Sequence, residues 1–158
     1  MGQSSPLCTR EIGESKSVTG ARIPSERAIR VAADAVQAPG LPAAAHLVER
    51  LDGQHPYFLV HFGEPGGRGA AVMVDAMDGS VMARVVVERV EQPWLMKEER
   101  AVEIAGSAQV EDARLVWKPS RATRSAFYPL WEVSTVSGSV WVDQSGRIWR
   151  ELTPAGPG

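Results

Sequence analysis

With only one cysteine, Cys8, the chain has no internal disulfide and no metal site made of thiolates alone. It also lacks a basic excess. Its 17 Lys and Arg face 19 Asp and Glu, a formal charge of -2, whereas a nucleic-acid surface needs clustered positive charge, so nucleic acid is not an expected partner. No uninterrupted apolar run reaches about 18 residues, and no membrane-spanning helix is expected. The amino end lacks the rest of two lipid signals. Met1-Gly2 opens like a myristoylation site but is followed by Pro6 where Ser or Thr is needed. Leu7-Cys8 resembles the end of a lipoprotein signal, but no hydrophobic segment precedes it. Polar composition predicts a disordered leader over residues 1–21 and a disordered tail over 154–158.

Patterns that carry chemistry are missing as well. His46, His55 and His61 form neither H-x-x-x-H nor H-E-x-x-H, and His61 reads as a surface residue on the side opposite Val60 and Phe62. The Gly63–Gly69 stretch has no Gly-Lys-Ser/Thr ending, and no serine sits in a G-x-S-x-G or S-x-x-K context. Asp75-Ala-Met-Asp78-Gly79 lacks the alternating acidic ligands of a calcium loop and reads as a hairpin turn. Lys118–Arg124 carries three positive charges and reads as a solvated loop, or else as a contact for an acidic partner. No catalytic residue, metal or cofactor is expected.

What is present is internal likeness. Residues 26–32 read Glu-Arg-Ala-Ile-Arg-Val-Ala and residues 99–105 read Glu-Arg-Ala-Val-Glu-Ile-Ala. Self-similarity at a fixed offset suggests a duplicated structural unit. Both segments have an apolar stripe at the helical period: Ala28, Ile29, Ala32 and Val36 in one, Ala101, Val102, Ala105 and Ala108 in the other. Ile23 and Met96 stand just before each helix as possible staples. Strand-like runs follow at 47–51, 57–62, 70–75 and 81–87, then at 113–117, 127–136, 139–143 and 147–152. Val72-Met-Val-Asp75 and Val140-Trp-Val-Asp143 each lead into a hairpin glycine, Gly79 and Gly146. The expected fold is therefore α+β, two tandem and pseudo-symmetric helix-plus-antiparallel-sheet units at 22–92 and 93–153.

The order helix, strand, aromatic strand, then V-x-V-D-x-x-G and a last strand resembles the PepSY domain. Residues 26–32, 57–60 and 72–81 carry the likeness, and again 99–105, 128–133 and 140–148. The resemblance implies a cystatin-like helix on a curved sheet. It also implies a non-catalytic module, extracytoplasmic or envelope-associated, that modulates peptidases or senses, with a protein or peptide as partner. The family has no catalytic residues to transfer. A second expectation, from a different class, is a small-molecule-binding or hydrolytic protein using a cavity between helix and sheet.

Tryptophan is the remaining signal. Five of the ten aromatics are Trp, and Trp117, Trp131, Trp141 and Trp149 fall in the second repeat. These four are the candidate binding residues. Strand alternation puts Trp141 with Ser139 and Asp143, and Trp149 with Arg147 and Glu151, away from Val140, Val142, Ile148 and Leu152. Large rings on a polar face mark either a partner surface or a buried contact between the two units.

Overall fold

The computed structural model describes residues 20–37, 43–90, 94–106 and 109–155. Cys8, Ala108, nearly all of the expected leader and most of the tail lie outside the described residues. Ten elements follow in chain order: α1 (Ser25–Val36), β1 (Ala43–Arg50), β2 (Tyr57–Phe62), β3 (Gly69–Asp75), β4 (Val81–Val87), α2 (Glu98–Ala105), β5 (Val110–Trp117), β6 (Leu130–Thr135), β7 (Gly138–Val142) and β8 (Ile148–Trp149).

Local chemistry explains the helices. Pro24 and Lys97 are the extended residues before α1 and α2, and each carbonyl accepts the first helical amide bonds. α1 ends at Gln37 and α2 at Gly106, both in the left-handed region. Glycine takes that conformation without strain; Gln37 is the only non-glycine residue described that adopts it. Ala28, Ala32 and Ala101 are fully buried, so short side chains let the helices lie close on the sheet.

The strands assemble differently from the expectation of two tandem units. All eight form one mixed sheet in the order β4-β3-β2-β1-β5-β6-β7-β8. Most neighbours are antiparallel, but β1 and β5 run parallel, with Glu49 opposite Val116 and Arg50 opposite Trp117. Two separate helix-plus-sheet units are thereby overturned: the described residues are mostly β, with two helices on one sheet. The physical reason lies in the edges. Two four-stranded sheets would each leave β1 or β5 as an open edge, and the parallel pairing of Glu49–Arg50 with Val116–Trp117 closes part of both. The halves join along this edge, and one buried cluster also unites Tyr57, Leu59 and Met73 with Trp117, Trp131 and Val133.

The helices lie on opposite faces. Phe58, Val60 and Phe62 pair with Val74, Val72 and Ala70, and this face packs against Ala28 and Ala32 of α1. The other face of β2 and β3 presents Tyr57, Leu59, Ala71 and Met73, and packs with Leu95, Leu115, Val133 and Ala101 of α2. The connection between the halves helps to cover it. Val90 exchanges backbone bonds with Gly66 and Gly67 in the β2–β3 loop (2.7 and 2.9 Å). Gly69 is required there, since a Cβ would strike Val90 Cγ2 and the Phe62 carbonyl.

His61 departs from the expected surface position. It does lie opposite Val60 and Phe62, but it is only 9% exposed and stacks on Trp94 with ring centroids 5.5 Å apart. Strand alternation chose its face correctly; the crossing of residues 94–96 over that face decided its burial.

Candidate functional site: a cross-strand tryptophan row

The candidate site lies on the face of β5–β8 that α2 does not cover. The register aligns Arg114 with Glu132, Glu132 with Trp141, and Trp141 with Trp149. Directly opposed residues share a face, so these four form one row across four strands. Adjacent strands bring the two indoles side by side, as a hairpin around Ser145-Gly146 requires.

Every polar atom in the row that bears on the rings has a partner. Trp141 Nε1 donates to Glu132 Oε2 at 3.0 Å, and Arg114 Nε donates to Glu132 Oε1 at 2.9 Å. Trp149 Nε1 donates to Asp143 Oδ2 at 2.9 Å, while the Arg147 guanidinium lies 4.3 Å from the Trp149 ring centroid. Such cation–π contact adds about 0.5–1 kcal/mol at an accessible site. Asp143 does a second job. Its Oδ1 accepts from the amides of Ser145 and Arg147, both at 2.9 Å, and from the Ser145 hydroxyl at 2.6 Å. Burial by itself would push this carboxyl up, but the bonds from Ser145, Trp149 and Arg147 outweigh it and leave it below the usual carboxylate value. The turn therefore holds the ring that projects beside it.

The other two tryptophan candidates are placed differently. Trp117 and Trp131 are buried members of the core beneath α2. Trp131 Nε1 donates to the Met96 carbonyl at 2.8 Å. Arg50 lies 5.0 Å over the Trp117 ring, and Trp117 Nε1 is buried without a partner among the described residues. The structure thus brings Trp141 and Trp149 together as half-buried neighbours and sends Trp117 and Trp131 inside.

The remaining polar candidates are structural. Asp75 Oδ1 accepts from the amides of Met77 (2.7 Å) and Asp78 (3.0 Å), and Asp75 Oδ2 lies 3.1 Å from His55 Nδ1. In the 118–124 loop, Ser120 and Thr123 are buried, and Thr123 Oγ1 donates to the Ser125 and Tyr128 carbonyls. That loop is folded rather than merely solvated, although Arg121 and Arg124 stay exposed. Sequence reading missed Arg114 and Glu132 as members of the row. The available signal was alternation in β5 and β6, which puts both on the polar side, but their pairing with Trp141 needs the register.

No protein-family model matches this sequence, and no curated protein is significantly similar to it. Among solved structures, the chain is similar to a lipoprotein candidate from Clostridium difficile 630 at 14% identity, over 80% of this chain and 90% of that one, with a TM-score of 0.36. At that score the likeness carries no argument. Among the described residues no helix is long and apolar enough to cross a membrane.

Proposed function

We propose that this chain is a non-catalytic binding or regulatory module that presents the Arg114–Glu132–Trp141–Trp149 row to a protein or peptide partner. The carrying observation is the pair of directly opposed, half-buried indoles on a sheet face against which neither helix packs. Tryptophan and arginine are both enriched among the residues that carry the energy of interfaces. Here both rings are already held by Glu132 and Asp143, so little side-chain freedom remains to be lost on binding. The PepSY resemblance adds the kind of role: peptidase modulation or sensing at the cell envelope. The small-molecule reading needs a cavity between helix and sheet. At the positions where α1 meets the sheet, Ala28 and Ala32 have no exposed surface, which favours the interface reading.

The test is affinity capture from the source cells with the wild-type chain and with Trp141→Ala/Trp149→Ala, each checked for folding. A partner retained by the first and lost from the folded second supports the proposal. Equal retention by both would remove the row as the recognition surface.

A further inference from the structure

On the opposite side of the molecule, a cleft of about 530 Å³ opens between the end of β4, the start of α2 and the loop bearing Tyr128. Its apolar wall comes from Val87, Val90, Trp94 and Leu95, of which Val90 and Leu95 are buried. Among the described residues three cations line it, Arg89, Lys97 and Arg100, and no carboxylate does. Arg100 bonds Glu103 at 3.0 Å, but Arg89 and Lys97 have no ion pair among the described residues. In a chain of net charge -2, this is a local excess of positive charge around apolar surface.

The walls are fixed in advance. Gln144 Oε1 accepts from the Met96 amide at 2.7 Å, and its Nε2 donates to the Pro129 carbonyl at 2.8 Å. The Met96 carbonyl is held by Trp131, and Val90 by the backbone of Gly66 and Gly67. Trp94 rests on His61. A pre-formed cleft of this size falls within the range of roughly 300–1,000 Å³ that takes small molecules, and is too small for a folded partner.

We infer that this cleft binds a single-chain amphipathic carboxylate, with its hydrocarbon on the Val87–Val90–Trp94–Leu95 wall and its anionic head between Arg89 and Lys97. A small inorganic anion would leave the apolar wall wet. A neutral hydrocarbon would leave the exposed Arg89 and Lys97 without an anionic partner. Only a ligand with both parts satisfies the whole surface, and a carboxylate gains charge-assisted bonds from lysine and arginine. The cleft shares no residue with the tryptophan row, so the two proposals stand or fall separately.

The experiment titrates isotope-labelled full-length chain with sodium dodecanoate below its micelle concentration, followed by amide and indole resonances. Trp94→Phe identifies the Trp94 indole signal. The expected result is saturable shifts at the Trp94 indole and the Met96 amide, with affinity reduced at least about tenfold in Arg89→Glu/Lys97→Glu and for dodecanol. Both cations are exposed, and Arg89→Met/Lys97→Met, which keeps side-chain bulk, should show the same loss if the charge reversal perturbs the fold. Non-saturable shifts, shifts spread over both sheet faces, or equal affinity in the folded charge variants would overturn the inference. So would binding to phosphatidylglycerol vesicles without binding to monomeric dodecanoate, which would point to a membrane surface instead.

Discussion

Strands β2 and β3 are buried on both faces, whereas β6 and β7 are buried mainly on one. In the first half, α1 covers one face and Leu95, with residues of the second half, covers the other. In the second half only one face has a helix. The sequences answer to that difference. Tyr57–Phe62 is almost continuously apolar, while β6 and β7 alternate Trp131, Val133, Val140 and Val142 with Glu132, Ser134, Ser139 and Trp141. Continuous apolar strands mark two-sided burial, and here a tryptophan on the polar side of an alternating strand lies on a face against which neither described helix packs.

The largest expected effect tests whether the halves are one energetic unit. Phe62 is 1% exposed, and Phe62→Ala should cost about 3–5 kcal/mol. All five tryptophans lie at residue 94 or later. Among the described residues only Trp94 on His61 and Trp117 under Arg50 touch first-half side chains in ring contacts, so their fluorescence is weighted toward the second half. Denaturant unfolding followed by fluorescence and by far-ultraviolet circular dichroism should shift together. A fluorescence midpoint that stays at the wild-type value would show that the β1–β5 seam does not couple the halves.

Next in size is acid sensitivity in the first half. Burial, helped by the neighbouring His46, pushes His61 down from 6.5 to about 3. Burial lowers His46 too. The unfolded chain therefore binds protons below about 6.5 that the folded chain refuses, and stability falls as pH drops, by up to about 1.4 kcal/mol per unit for His61. Asp75 and Asp143, both lowered, act in the same direction only below their unfolded value near 3.8. Above about 4.5 the loss thus belongs to the histidines. His61→Phe keeps a ring against Trp94 and should flatten the stability profile between pH 6.5 and about 4.5. An unchanged slope would mean His61 is protonated in the folded state.

Smaller again is the cost of removing the row. Trp141→Ala/Trp149→Ala takes away half-buried rings outside either core cluster, and should cost about 1–2 kcal/mol, well below Phe62→Ala. Iodide should quench part of the native fluorescence, and less of it in the double variant. A loss as large as that of Phe62→Ala would place these rings in the core. The smallest difference expected is between the two hairpin turns. Gly79 (φ 78°) and Gly146 (φ 92°) both have positive φ, so alanine at either should cost about 1–2 kcal/mol. Equal costs would show that the turns are alike although the sheet faces are not.

Much of the local structure was legible. The apolar period located α1 over residues that include Ala28 and Ala32, and β-rich runs located β2 and β4. Asp143 and Gly146 were readable as turn formers because their roles are local. The face of Trp141 and Trp149 was legible from alternation, a property of the backbone itself. The burial of His61 and the partnership of Glu132 with Trp141 were not, since each depends on a segment distant in sequence arriving at a particular place.

The sequence by itself determined where both helices and the cores of most strands lie, and which side of each strand is apolar, because those choices rest on backbone geometry and side-chain alternation within a few residues. Strand ends differed, with β1 starting at Ala43 rather than 47, β6 at Leu130 rather than 127, and β8 reduced to Ile148–Trp149. Only the tertiary structure decided that β1 pairs with β5, that the two helices take opposite faces, and that one row of arginine, glutamate and two tryptophans crosses four strands. Edge-strand hydrogen bonding has no side-chain signature: any strand with free N–H and C=O groups can pair with any other. The arrangement is selected by which union leaves the least polar backbone unsatisfied and the most apolar surface covered.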